Sequence, residues 1–319
     1  MKTITTTLLL LPLSTCQANL PPTWLPADRH ADRCVRELLV RLRNESGHHM
    51  FSGQTDLGDA EWVERQTGKA PVILALDFMS TPKSMGGDTS NTSVAIDWSR
   101  KRNGIVAYQW HWSSPTGAKD RNKGFYTNST TFDLASVLAN RKSSDYAAML
   151  ADIDDIAAQI QKLRDANVPV LFRPLHEAQG GWFWWGSKGP KACVELYKLI
   201  FHRMTGVHRL HNIAWVWNVY PASQNKGNPD DWYPGNDLVD VVATDYLQGK
   251  RDYDDLVRLT GGKKLVAIAE TMNPPSAQQC FADGAPWAYW VTWARRDWNK
   301  NSVTDVVAAM KDPLTLTSR

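Results

Sequence analysis

Eight short apolar runs, alternating with amphipathic stretches along 319 residues, predict an α/β fold: a single (β/α)8 barrel. Two observations favour closure over an open sheet. The length suits one barrel of about 250 residues with insertions. No internal repeat, low-complexity tract or linker divides the chain.

The runs fall at 49–54, 71–78, 104–112, 168–175, 213–220, 238–246, 264–270 and 287–293. Their length and β-branched content suit strands buried on both faces. The clearest helix spans 146–166, with Leu150, Ile153, Ile156, Ile160 and Leu163 at three- and four-residue steps and Ser143 or Ser144 as its cap. A second helix is expected over 191–204. Residues 113–142 are polar and turn-rich and read as a long insertion after the third strand, on the catalytic face.

The N-terminus begins Met1-Lys2, continues through Leu8-Leu9-Leu10-Leu11 and ends in small polar residues at Gln17-Ala18-Asn19. This is the pattern of a secretory signal peptide over 1–18, too short to span a bilayer as a mature helix. The catalytic domain is then 19–319, secreted or periplasmic. Leu13-Ser14-Thr15-Cys16 also resembles a bacterial lipoprotein box, an alternative in which Cys16 carries an anchor. After cleavage Cys34, Cys193 and Cys280 remain, so at most one disulfide can form within the chain. Asn44, Asn91 and Asn128 open N-x-S/T triplets, which matter only in a glycosylating host.

A net charge of +3, from 36 basic and 33 acidic residues, offers no field that argues for nucleic acid or an anionic membrane. A monomer is expected. Tryptophan is unusual: 15 Trp outnumber 9 Tyr and 8 Phe, more than core packing requires. A subset lining a cleft would suit sugar rings.

Residues 173–186 read Arg-Pro-Leu-His-Glu-Ala-Gln-Gly-Gly-Trp-Phe-Trp-Trp-Gly. Glu177 follows the fourth strand, at the end of a parallel barrel where catalytic groups collect. An isolated Glu in such a loop is usually a solvated carboxylate. His176 before it, and Trp182, Trp184 and Trp185 after it, argue for a built site. His176-Glu177 lacks a second His four residues after the first, so a zinc-protease helix is excluded.

The seventh run also ends in a carboxylate, Glu270. Strands four and seven face each other across a barrel mouth, so Glu177 and Glu270 can meet. Carboxylates about 5–5.5 Å apart are the geometry of retaining glycoside hydrolysis. Glu270 would be the ionised nucleophile, and Glu177 the acid/base, kept protonated by apolar surroundings and nearby negative charge. Alone, Glu270 would more often be a structural ion pair with Arg173 or a C-terminal strand cap; beside the Glu177 motif the catalytic reading is favoured. The two carboxylates supply acid, base and nucleophile, so no metal or cofactor is required.

Arg173-Pro174-Leu175-His176-Glu177 with Gly181-Trp182-Phe183-Trp184-Trp185-Gly186 resembles the acid/base strand of glycoside hydrolase family 26, best known for endo-β-1,4-mannanases. Trp110-His111-Trp112 resembles that family's third strand, Thr244-Asp245-Tyr246 its sixth, Ala269-Glu270 its nucleophile strand and Trp290-Val291-Thr292-Trp293 its eighth. The likeness covers 50–298. It implies that His111 binds sugar beside the scissile bond, that Tyr246 hydrogen-bonds the nucleophile, and that Trp293 supports the sugar ring. His176 agrees with the family, where the wider clan has Asn. Trp182 is the second stacking platform, with Trp184 and Trp185 packed beneath, and Arg173 orients Glu270.

Three positions depart from the family pattern: Ala178-Gln179 after the acid/base, Gln109 where Ser is usual, and Thr271 after Glu270. They leave the chemistry intact and loosen the substrate assignment. The resemblance therefore implies a retaining endo-β-1,4-mannanase acting on a polysaccharide. The alternatives are a β-1,3-xylanase or mixed-linkage β-glucanase of the same family, or a catalytically silent glycan-binding barrel.

Overall fold

The computed structural model describes residues 25–220, 228–246 and 249–318. The expected leader over 1–18, with Cys16, lies outside the described residues. Eight parallel strands close a barrel: β1 (Gly53–Thr55), β2 (Ile73–Asp77), β3 (Ile105–Gln109), β4 (Val170–Arg173), β5 (Ile213–Val219), β6 (Val241–Asp245), β7 (Leu265–Thr271) and β8 (Trp290–Thr292). Their order follows the sequence, and β8 pairs with β1 to close the ring. The (β/α)8 fold is therefore the one the alternating runs predict.

Several runs are longer than the barrel strands inside them. Met50–Phe51 and Ala70–Pro71, at the front of the first two runs, leave the barrel and sandwich the C-terminal strand Thr315–Ser318 in a separate three-stranded sheet. The first run bends at Ser52, whose hydroxyl donates to Leu316 O at 2.7 Å. Gly53 then lets β8 come close, since a Cβ there would lie 2.8 Å from Trp290 O. The sixth run opens on Leu238, the last residue of a 3₁₀ turn, Asn236–Leu238, and its strand begins only at Val241.

Helix α1 (Arg33–Glu45) precedes β1 and lies outside the eight expected units. Its Val35, Leu38, Leu39 and Leu42 recur at helical spacing and are buried. They form one apolar cluster with inward residues of the strands, including Ile73, Ile105, Leu171 and Val216. α1 thus covers the barrel end away from the carboxylates. The helix expected over 146–166 is Ser144–Asp165, capped by Ser143, whose hydroxyl accepts from Tyr146 N. The helix expected over 191–204 is Pro190–His202, with proline in its first turn, and a π turn extends it through Val207. Both pack in a second cluster between helices and strands, where Trp184, Trp185, Trp215, Trp217 and Trp287 are fully buried. Most of the tryptophan excess therefore serves the core.

The insertion over 113–142 lies at the carboxyl end of the strands, as expected. Trp184 N donates to Phe125 O at 3.1 Å, and Thr127 N donates to Trp182 O at 2.7 Å. Cys34, Cys193 and Cys280 are buried and free. No helix among the described residues is long and apolar enough to cross a membrane.

Candidate active site

The carboxyl ends of the strands carry a layer of buried and half-buried polar residues. Each of β2, β3, β4 and β6 stops on one: Asp77, Gln109, Arg173 and Asp245. Glu270 is the penultimate residue of β7 and pairs in register with Asp245. The register also aligns Asp77 with Gln109 and Gln109 with Arg173.

Arg173 is the hub. Its Nη1 donates to both oxygens of Asp245, at 2.9 and 2.8 Å, and its Nη2 donates to Gln109 Oε1 at 2.5 Å and Glu270 Oε2 at 2.9 Å. A planar guanidinium can serve these partners on three other strands at once, where an ammonium could not. Asn218, near the end of β5, donates from Nδ2 to Asp245 at 2.8 Å and accepts from the Glu177 backbone N–H at 2.7 Å. That second bond steadies an unusual backbone. Glu177 sits in the left-handed region at φ 51°, as does Tyr246 at φ 60°. Such residues cost of order 1–3 kcal/mol and persist only where their surroundings hold them.

Burial, Asp245 and Glu270 together push the Glu177 carboxyl well above the ordinary carboxylate range. The Trp182 indole N–H opposes them by donating to Glu177 Oε2 at 2.9 Å. Burial also raises Asp245, against the pull of Arg173. Three buried carboxyl groups thus surround one guanidinium, an arrangement that favours one of them holding a proton. Glu177 is the one without a hydrogen bond to Arg173 among the described residues, its carboxyl accepting from the Trp182 indole instead.

His111 Nδ1 lies 2.5 Å from Asp77 Oδ2, and its Nε2 lies 3.1 Å from His176 Nε2. Burial, His111 and Arg173 all lower the His176 pKa, so its imidazole is neutral. Trp293 is half-buried beside His111, ring centroids 5.6 Å apart, and its indole N–H donates to Asp297 at 2.7 Å. Trp182 is half-buried on the other side, edge-on to Tyr220 at 4.9 Å. The site therefore sets one carboxyl group toward the protonated form and pairs another with a guanidinium, with two half-buried indoles nearby.

A family model for glycosyl hydrolase family 26 matches residues 28–319. A mannan endo-1,4-beta-mannosidase of Thermothelomyces thermophilus is 40% identical over 304 residues, covering 90% of this chain and 61% of its own length. The chain belongs to glycosyl hydrolase family 26. A mannan endo-1,4-beta-mannosidase A of Piromyces is 34% identical over 81% of this chain and 44% of its own. The chain thus spans less than two thirds of these relatives. A solved β-(1,4)-mannanase of Podospora anserina superposes with a TM-score of 0.83 at 37% identity, covering 94% of this chain and 70% of that one.

Against the family 26 pattern, the structure brings every expected residue to one end of the barrel: Glu177, Glu270, His111, His176, Trp182, Tyr246, Trp293 and Arg173. Trp184 and Trp185 are fully buried beneath the loop, as expected. Two of these residues make contacts that residue type does not specify. Among the described residues the Tyr246 hydroxyl makes no hydrogen bond to the Glu270 carboxylate; the link is Tyr246 N to Glu270 O, at 2.5 Å. The Tyr246 ring also stands edge-on to Tyr220, ring centroids 6.1 Å apart. His111, expected to hold sugar, has both ring nitrogens engaged by Asp77 and His176.

Asp77, Gln109, Asn218 and Asp245 are polar residues of this family 26 site that the reading of single motifs overlooks. Their common signal is a polar residue ending, or nearly ending, an apolar run.

Proposed function

We propose that the chain is a retaining endo-β-1,4-mannanase. The observation that carries this reading is the unequal setting of its two strand-end carboxylates. Glu177 is pushed toward the protonated form by burial and by Asp245 and Glu270, while Glu270 accepts a charge-assisted hydrogen bond from Arg173. In the first step Glu270 attacks the anomeric carbon as Glu177 gives its proton to the departing glycosidic oxygen, leaving a covalent glycosyl-enzyme. In the second, Glu177 takes a proton from water, whose oxygen displaces Glu270. Trp182 and Trp293 are the stacking faces on either side of the reacting sugar.

The substrate rests on kinship: the relatives of 40% and 34% identity are named mannan endo-1,4-beta-mannosidases. A solved relative from a symbiotic protist of the termite Reticulitermes speratus, 28% identical over 92% of this chain, is described as a β-mannanase complexed with gluco-manno-oligosaccharide. The leader over 1–18 supports export, with the catalytic domain over 19–319 acting as a monomer. Digestion of linear mannan, galactomannan, β-1,3-xylan and mixed-linkage glucan, with product sizing, tests the reading. Mixed manno-oligosaccharides from the mannans support it. Cleavage of xylan or glucan without mannan overturns the substrate, and no cleavage of any glycan leaves the silent binding barrel.

A further inference from the structure

Asp77, Gln109 and Arg173 end three adjacent strands and are register neighbours, forming a lateral row of acid, amide and base. Gln109 is buried in the middle of that row. Its Oε1 accepts from Arg173 Nη2 at 2.5 Å, and its Nε2 donates to Asp77 Oδ2 at 3.3 Å. A guanidinium can only donate, and an ionised carboxylate can only accept. The orientation of the amide is therefore dictated by its neighbours, and few side chains could replace it. A Glu would set a carboxylate against Asp77. A Met would leave both neighbours short of a partner. A Ser has one oxygen to span residues on strands about 4.8 Å to either side.

Each end of the row leads to a different half of the site. Arg173 Nη2, besides meeting Gln109, donates to Glu270 at 2.9 Å. Asp77 Oδ2, besides meeting Gln109, holds His111 Nδ1 at 2.5 Å, and His111 in turn meets His176, the residue before Glu177. Asp77 also accepts from the His111 backbone N–H at 3.0 Å through its other oxygen.

We propose that Gln109 is a positioning residue that couples the two halves: its carbonyl sets the guanidinium that holds Glu270, and its amide N–H sets the carboxylate that holds His111. The kinetic consequence rests on the reading of Glu270 as nucleophile; the coupling itself does not.

The test compares the parent protein with Gln109→Met and Gln109→Glu in two measurements. The first is the rate at which 2-deoxy-2-fluoro-mannosyl fluoride labels Glu270, followed by mass spectrometry, together with kcat and KM on mannohexaose. Gln109→Met is expected to slow labelling about 10- to 100-fold, the loss of a buried hydrogen bond to a charged group. Gln109→Glu still accepts from Arg173, so labelling slows less than in Gln109→Met while KM rises. The second is the proton resonance of His111 Nδ1–H, which moves in both variants because Asp77 loses its amide donor. An unmoved resonance in Gln109→Glu overturns the coupling, even if Gln109→Met folds poorly. Parent-rate labelling in Gln109→Met overturns the link to Glu270. If the parent itself is never labelled on Glu270, the catalytic reading fails, and the resonance still decides the role of Gln109.

Discussion

The Trp182 indole N–H donates to the Glu177 carboxyl at 2.9 Å, so a ring available for stacking on substrate also holds the group that would protonate it. Two neighbours therefore act on Glu177 with opposite sign. The Trp182 hydrogen bond favours the ionised form, whereas burial, Asp245 and Glu270 favour the protonated one.

The alkaline limb of kcat/KM should report Glu177 as the acid of the free enzyme. Trp182→Phe removes the donor and keeps a flat ring, so that limb is expected to move to higher pH. Asp245→Asn removes the nearest charge opposing ionisation, so the limb is expected to move to lower pH. A pH–rate profile of both variants checks the pair, and equal shifts in one direction would contradict the geometry.

Stability carries the same sign. The folded-state pKa of Glu177 lies above its unfolded value, so its protonated form contributes stability that is complete below the ordinary carboxylate range and is lost as pH rises through the raised value. Glu177→Gln, which cannot ionise, should flatten the alkaline fall of the melting temperature. Thermal melts across neutral and alkaline pH measure this.

Arg173→Met should be costly twice over. Asp245 and Glu270 would remain buried without their shared cation, and breaking such an ion network by removing one partner costs about 3–5 kcal/mol. Arg173→Lys is not expected to restore the loss, since an ammonium cannot reproduce the planar fork. Urea unfolding gives the stability and hydrolysis gives the activity; full rescue by Lys would show that charge alone matters.

The tryptophans of one loop should separate. Trp185 is fully buried and its indole N–H donates to His176 O at 2.8 Å. Trp185→Ala is expected to cost about 3–5 kcal/mol of stability, as large-to-small changes in cores do. Trp182 is half-buried, so Trp182→Ala should lose much less stability while raising KM. Unfolding and kinetics of the two variants distinguish the roles.

The barrel was legible because its strands are apolar runs closed by turn residues, and Glu177 and Glu270 were legible because one follows such a run and the other ends one. What escaped notice depends on neighbours distant in sequence. Gln109 reads as a polar strand end until register sets it between Asp77 and Arg173. The bend at Ser52, which splits the first run, answers to Leu316 near the far end of the chain. Helix α1 shows a clear apolar stripe, yet only the closed barrel reveals that the stripe covers its inner end. That Tyr246 meets Glu270 through its backbone N–H, from a left-handed conformation at φ 60°, is invisible to residue type.

The central claim is that Glu270 attacks carbon and Glu177 serves first as acid and then as base. Proton NMR of a mannohexaose digest, recorded before mutarotation, tests it most directly. Two displacements predict that the β-anomer of the new reducing end appears first and the α-anomer follows by slow equilibration. An α-anomer appearing first would mean a single displacement by water, and would contradict the nucleophilic role of Glu270.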